Sequence, residues 1–186
     1  MKRAFDLVMS MVFGLILLCP MLIVAIAVKL TSPGPVLYWS SRVGRGNNIF
    51  QMPKFRSMRI DTPEVATHLL QNATSFLTPI GGFLRKSSLD EFPQLWNIFK
   101  GDMSFVGPRP ALFNQADLIN LRTERGVAAL RPGLTGWAQI NGRDELPISV
   151  KVEFDAEYLA RQSFQFDLKI LCLTFLKVIR RSGVTH

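Results

Sequence analysis

The longest apolar stretch lies at the beginning of the chain. Residues 7–28 carry no charge, and Ser10 is the only strongly polar residue among them. A helix of about 20 such residues is long enough to cross the hydrocarbon core of a bilayer. Pro20 lies near the middle of the stretch, where a missing N–H and a ring clash favour a kink. The pattern therefore predicts a membrane helix that is broken at Pro20.

Three interpretations of this segment compete. A cleaved signal peptide has a shorter apolar core than this one, although residues 25–27 imitate a cleavage site. A helix that spans the membrane tolerates a proline. A re-entrant helix instead enters one leaflet and returns. Basic residues flank the segment on both sides, with Lys2 and Arg3 before it and Lys29 after it. Because basic flanks stay in the cytoplasm, they favour the re-entrant form. Taken together, these residues support the spanning and re-entrant forms about equally.

Shorter patterns follow. Residues 36–39 and 49–52 are rich in β-formers and flank the glycine- and asparagine-containing turn 42–48, which predicts a β-hairpin. Longer patterns predict helices near 92–99, 114–129, 150–160 and 166–179. The last is too interrupted to span, but its lysines suit a membrane interface. We expect a mainly helical α+β fold with interfacial amphipathic helices. We expect residues 1–30 to form a re-entrant membrane helix and residues 31–186 to form a compact cytoplasmic domain that associates with the membrane.

Composition agrees with a membrane-associated chain. Of the 186 residues, 48% are hydrophobic, yet the net charge is +8. Basic proteins often bind nucleic acid, but this sequence has no basic run of five residues and no zinc-finger spacing. We therefore expect membrane lipids as partners and no nucleic acid.

Candidate chemistry centres on two adjacent acids, Asp90 and Glu91, which lie between Arg85 and Arg109. A carboxylate can attack phosphorus or hold a metal ion, and an arginine fork can bind phosphoryl oxygens. This combination indicates chemistry on phosphate esters.

The local structure of the acid pair has two interpretations. Ser88 and Glu91 match a capping box, in which Glu91 has only a structural role. If Asp90 is the N-cap instead, Pro93 falls at the third helical position, where its missing N–H costs nothing. We expect the second arrangement, because it also gives helical spacing to an apolar stripe that we expect to be buried. The stripe consists of Phe92, Leu95, Trp96 and Phe99.

Further basic residues are candidates for phosphate binding. Lys54 and Arg56 follow the hairpin beside apolar residues, and a solvated or lipid-facing edge is the alternative interpretation. Arg131 and Arg143 flank a glycine-rich segment that contains Trp137. That segment has the parts of a nucleotide site, although a structural cluster of turns is slightly favoured.

Several motifs together resemble the bacterial sugar transferases, the monotopic phosphoglycosyl transferases of surface-glycan assembly. These motifs are Lys2-Arg3-x-x-Asp6, Leu89-Asp90-Glu91-x-Pro93-Gln94, Gly107-Pro108-Arg109-Pro110 and Arg131-Pro132-Gly133-x-Thr135-Gly136. The resemblance covers nearly the whole chain. One departure is Cys19 before Pro20, where the family commonly has serine.

The resemblance implies transfer of a sugar-1-phosphate from a UDP-sugar to undecaprenyl phosphate at the cytoplasmic face of the bacterial inner membrane. Asp90 would be the nucleophile that releases UMP and forms an aspartyl-phosphosugar intermediate. Asp90 and Glu91 would hold Mg²⁺, while Lys54, Arg85 and Arg109 would steady phosphates. A glycosyltransferase that releases UDP and a non-catalytic membrane-anchored scaffold are the alternatives. The identity of the sugar and association into a homo-oligomer stay open.

Overall fold

The computed structural model describes residues 1–63, 72–142 and 146–180. Its first two helices are α1 (Lys2–Ile16) and α2 (Leu18–Thr31), which are bent by 60° across Leu17. The break lies at Leu17, three residues before Pro20. A proline ring clashes with the carbonyl four residues earlier, here that of Ile16, so α1 ends there. Pro20 itself occupies the first turn of α2, where its N–H is not needed.

Neither helix of this bent pair, nor any other single helix in the described ranges, is long and apolar enough to cross a membrane. Taken together, α1 and α2 have the length and composition of a broken span or of a re-entrant loop. Many of their apolar side chains are exposed, including Leu15, Ile16, Leu18, Leu22 and Ile23.

The predicted hairpin is confirmed. Strand β1 (Leu37–Val43) pairs antiparallel with β2 (Ile49–Phe55), and the connecting turn contains Gly46 in the left-handed region. The expected α+β, mainly helical composition is confirmed too. The remaining elements are α3 (Gly81–Ser87), α4 (Leu95–Lys100), β3 (Ser104–Val106), α5 (Ala116–Glu124), β4 (Gly133–Thr135), α6 (Trp137–Asn141), α7 (Ile148–Arg161) and α8 (Phe164–Arg180).

Strands β3 and β4 run parallel at the centre of the main core. Their backbones approach closely because glycines face each other. A Cβ on Gly107 would lie 2.3 Å from the carbonyl oxygen of Arg131, and one on Gly133 would lie 2.1 Å from the nitrogen of Gly107. This close approach explains the glycines of the Arg131–Gly136 motif by packing, which favours the structural interpretation of that segment.

The predicted buried stripe around α4 is wrong. Trp96 and Phe99 are exposed and stack on each other, whereas Leu95 and Ile98 are buried. The chain is a 3₁₀-helix over Leu89–Gln94 and becomes α-helical at Leu95. Within α4 the buried face is formed by Leu95, Asn97 and Ile98, which leaves Trp96 and Phe99 on the exposed side.

The beginning of α1 is fastened to the rest of the domain by its polar residues. The Lys2 ammonium donates to the Val106 carbonyl (2.8 Å), the Tyr158 hydroxyl (3.0 Å) and the Asp167 carboxylate (2.7 Å). The Tyr158 hydroxyl donates in turn to Asp167 (2.6 Å). The buried Asp6 accepts from the Ser104 hydroxyl and the Phe105 amide, each at 3.2 Å. The membrane-like helix pair is therefore held at its first turn by β3, α7 and α8.

Arg3 adds a second attachment. Its guanidinium donates to the carbonyls of Ile98 and Phe99, each at 2.6 Å. These are among the last carbonyls of α4, which have no partner within the helix, and a cation at a helix C-terminus is also favourable to the helix dipole.

We expect Lys2→Met to destabilise the protein, because the substitution leaves the buried Asp167 carboxylate without its cation. Breaking such a pair costs about 2–3 kcal/mol, which corresponds to a fall in Tm of about 4–12 °C for a chain of this size. Thermal unfolding of the purified protein measures the effect. Lys100→Met is the matched control, since the Lys100–Asp102 pair is largely exposed and such pairs contribute below about 1 kcal/mol. Equal Tm values for the two variants would contradict the anchoring role.

Candidate functional site

The acid pair lies on the 3₁₀-helix Leu89–Gln94. The N-cap is Ser88, in the left-handed region at φ 57°, and it makes no side-chain capping bond. The prediction of Asp90 as N-cap is therefore wrong, and neither does the Ser88 hydroxyl cap the helix. The tighter 3₁₀ turn carries the chain through Pro93, which has no N–H to donate.

Two of the predicted basic residues meet at Glu91. The Lys54 ammonium, on β2, donates to Glu91 Oε1 at 2.8 Å, and Arg109 Nη2 donates to the same oxygen at 3.3 Å. The side chains of Lys54 and Glu91 are 16% and 20% exposed, so these charges interact with limited screening by water. Residues that are 37 and 18 positions away from Glu91 thus converge on one carboxylate oxygen.

The pKa values of the two adjacent acids are shifted in opposite directions. Burial would raise the pKa of Glu91, but the charges and hydrogen bonds of Lys54 and Arg109 outweigh it and hold that pKa well below its usual range. Burial raises the pKa of Asp90, and the neighbouring Glu91 charge raises it further, although Lys54, Arg85 and Arg109 oppose the rise. Glu91 is therefore a firmly ionised group beside a desolvated Asp90.

A small pocket opens beside Glu91. It is lined by Arg42, Met52, Lys54, Glu91, Gln94, Arg109, Pro110 and Gly133. Asp90 is only 8% exposed and does not contribute to this lining. The pocket has three basic side chains around one carboxylate, so an anionic ligand is the kind it suits.

Arg42 and Gln94 are pocket residues that sequence reasoning missed. Arg42 could have been found from the hairpin, since Tyr38, Ser40 and Arg42 alternate along β1 and share one face with Lys54. It donates to the Ser40 hydroxyl (2.9 Å) and to the Pro110 carbonyl (3.2 Å), next to Arg109. Gln94 could have been found from its spacing, three residues after Glu91 on a helix with three residues per turn.

The other predicted phosphate ligands differ in position. Arg85, on α3, acts electrostatically on Asp90 and donates to the sulfur of Met58 at 3.2 Å. Arg131 lies half-buried in the segment just before β4. Arg143 lies outside the described residues.

Arg56 has a structural position. It is 5% exposed, and its guanidinium donates to the carbonyls of Ser32, Pro33 and Pro35 at 2.6–2.9 Å. These bonds fix the turn that leads from α2 into β1. A phosphate-binding role for Arg56 stays a prediction, and this geometry directs its donors to the turn instead.

A buried ion pair holds the backbone of Arg109 in place. Nε and Nη2 of Arg122 donate to the Asp155 carboxylate at 2.9 and 2.6 Å, and both residues are buried. Burial raises the pKa of Asp155, and the charge and hydrogen bonds of Arg122 oppose that rise. Arg122 Nη1 also donates to the backbone carbonyl of Arg109 at 2.8 Å. The pair thereby fixes the backbone from which the Arg109 side chain reaches Glu91.

For a metal ion, the described residues contain no group of three or more acidic, histidine or cysteine side chains. A magnesium ion nevertheless needs only one or two carboxylates when water and substrate phosphates complete its shell. Asp90 and Glu91 supply two carboxylates, so the donor set fits magnesium bound together with a phosphorylated ligand.

Comparison with known proteins agrees with the motifs. Residues 1–181 match the family model described as bacterial sugar transferase. The UDP-glucose:undecaprenyl-phosphate glucose-1-phosphate transferase of Escherichia coli is 41% identical over 186 residues, which cover 95% of this chain and 40% of that protein. The undecaprenyl-phosphate glucose phosphotransferase of Komagataeibacter xylinus is 43% identical over 96% of this chain and 36% of its own length.

A shorter relative matches along most of its length. The uncharacterized sugar transferase EpsL of Bacillus subtilis is 41% identical over 99% of this chain and 90% of that protein. This chain thus spans less than half the length of the first two relatives but nearly all of the third. Because the family model matches almost the whole sequence, the chain belongs to the bacterial sugar transferase family.

Proposed function

We propose that this protein transfers a sugar-1-phosphate from a UDP-sugar to undecaprenyl phosphate and releases UMP. The observation that carries the proposal is the acid pair, in which a desolvated Asp90 adjoins a Glu91 that binds Lys54 and Arg109. The names of the relatives support the same donor and acceptor classes.

In the first step, an Asp90 carboxylate oxygen attacks the β-phosphorus of the UDP-sugar. The bond from that phosphorus to the bridging oxygen breaks, and UMP leaves with both bonding electrons. In the second step, a phosphate oxygen of undecaprenyl phosphate attacks the same phosphorus and releases the Asp90 carboxylate. Burial supports this role, because a poorly hydrated carboxylate is a better nucleophile than a solvated one.

The cations address the main obstacle, which is repulsion between a carboxylate and a diphosphate. Lys54 and Arg109 already lie at Glu91, and Arg85 and Arg42 add positive charge nearby. Charges fixed before the substrate arrives stabilise a transition state without further reorganisation. A magnesium ion held by Asp90 and Glu91 would supply additional charge neutralisation on the diphosphate.

The membrane assignment rests on the fastening of both ends of the bent pair. Lys2 and Arg3 contact α4, β3, α7 and α8, while Arg56 fixes the turn after α2. Both ends therefore lie against one folded body, as a re-entrant helix requires. Basic flanks at both ends favour the cytoplasmic face. On this proposal, residues 1–30 enter the membrane, residues 31–186 form the catalytic domain, and α8 lies at the interface with Phe175, Leu176 and Val178 exposed.

We expect Asp90→Asn to lower UMP release by at least about a thousandfold, because an amide cannot form the acyl phosphate. The assay combines the purified protein, a panel of UDP-sugars, undecaprenyl phosphate and Mg²⁺, and it identifies the nucleotide product. Asp61→Asn is the control, since Asp61 is exposed and pairs with Arg59 at the surface. Full turnover by Asp90→Asn would show that Asp90 is not the nucleophile. Release of UDP in place of UMP would indicate a glycosyltransferase.

We also expect removal of divalent cations to abolish UMP release. Two adjacent carboxylates beside a diphosphate need more positive charge than the side chains supply. Treatment with EDTA followed by back-titration with Mg²⁺ measures the dependence. Unchanged turnover in EDTA would show that UMP release does not require a divalent cation.

The re-entrant topology is tested by thiol labelling in intact cells. Cys19 and Cys172 are replaced by alanine, and a single cysteine is placed either in a short tag ahead of Met1 or at the exposed Asn120 on α5. We expect a membrane-impermeant reagent to reach neither cysteine until the cells are permeabilised. Labelling of only one of the two in intact cells would instead show that the pair spans the membrane.

A further inference from the structure

Gln94 is a buried side chain whose amide nitrogen has no partner. It is 3% exposed, and Nε2 contacts no acceptor among the described residues. A buried donor without an acceptor is costly, so nearly all such groups in folded proteins are satisfied. The exceptions call for a physical explanation.

Gln94 differs from the other buried side chains with unpaired atoms. These occur at Asp6, Asn97 and Gln139. Asp6 and Asn97 each make hydrogen bonds within the domain through other atoms. Of the four residues, Gln94 alone lines the pocket beside Glu91. An acceptor for its amide can therefore come from a ligand in that pocket.

The surroundings define the chemistry of that ligand. Lys54, Arg109 and Arg42 line the same pocket, so an anion is favoured there. Lys54 and Arg109 share Glu91 Oε1, whereas the Gln94 donor is uncommitted. Phosphoryl oxygens accept hydrogen bonds and carry the negative charge that these cations attract.

We propose that Gln94 donates a hydrogen bond from Nε2 to a phosphoryl oxygen of the diphosphate bound in this pocket. It is a neutral donor that adds a directed bond to the charges of Lys54 and Arg109. The inference rests on the proposed function for the nature of the ligand. A phosphoryl oxygen would give Nε2 the acceptor that the described residues do not supply, as expected for a preorganised site.

The test uses pyrophosphate as the probe and Gln94→Met as the variant, since methionine has similar length and no donor. Affinity is measured by calorimetry with and without Mg²⁺, and Tm is measured without ligand. We expect the variant to bind pyrophosphate about tenfold more weakly, the size of one hydrogen bond to a charged group. We expect its Tm to be equal to or higher than that of the original protein, because an unpaired buried donor has been removed.

Asn97→Leu is the matched control. Asn97 is also a buried amide and lies three residues after Gln94, but its Nδ2 donates to the Gln51 carbonyl (2.9 Å) and to Asp102 (3.1 Å). We expect this variant to have a lower Tm and unchanged pyrophosphate affinity in its folded form.

Three results would overturn the role of Gln94. These are no pyrophosphate binding by the original protein, equal affinity in Gln94→Met, or a Tm of Gln94→Met that falls as it does in Asn97→Leu. Failure of the proposed function is distinguishable, because it is decided by UMP release in the Asp90→Asn experiment. Pyrophosphate binding that depends on Gln94, in a protein that releases no UMP, would retain the phosphate site and reject the transfer reaction.

Discussion

A carboxylate that is largely removed from water stays ionised only if cations replace its hydration, and the arrangement around Glu91 meets that requirement. Lys54 comes from β2 and Arg109 from the turn after β3, so the hairpin, the 3₁₀-helix and the central strands are joined at one oxygen. The same charges act on Asp90, where burial prevails and the pKa is raised. Packing and electrostatics thus raise the pKa of one acid and lower that of its neighbour.

The support of this site is itself built from buried charge. Arg122 and Asp155 are paired inside the domain, and the remaining donor of Arg122 holds the Arg109 carbonyl. Buried ion pairs contribute little net stability, because desolvation offsets much of their attraction. The pair contributes positioning, since it fixes the backbone of Arg109, whose half-exposed side chain contacts Glu91.

Local features of the fold could be predicted from the sequence, and distant contacts could not. The β-hairpin follows from alternation and turn residues, and the helix break follows from Pro20. The prediction that Trp96 and Phe99 are buried was wrong, because α4 packs through the face of Leu95 and Ile98, and sequence spacing alone does not determine which face of a short helix is packed. The Arg122–Asp155 pair has no local pattern that predicts it. For the site, the motifs single out the acids, Lys54 and Arg109, and the fold brings Lys54 and Arg109 to Glu91. The position of Arg42 and Gln94 beside the same acid follows from the strand register and from the 3₁₀ turn.

The contact between Lys2 and Asp167 joins positions that are 165 residues apart, and this separation sets an order of assembly. During synthesis at about 5–20 residues per second, α1 and α2 leave the ribosome roughly 7–30 seconds before α8. Throughout that interval the apolar pair is complete, but the ammonium of Lys2 lacks the Asp167 carboxylate that it later binds. On the proposed membrane topology, the helix pair therefore enters the bilayer before α8 can fasten its first turn to the domain.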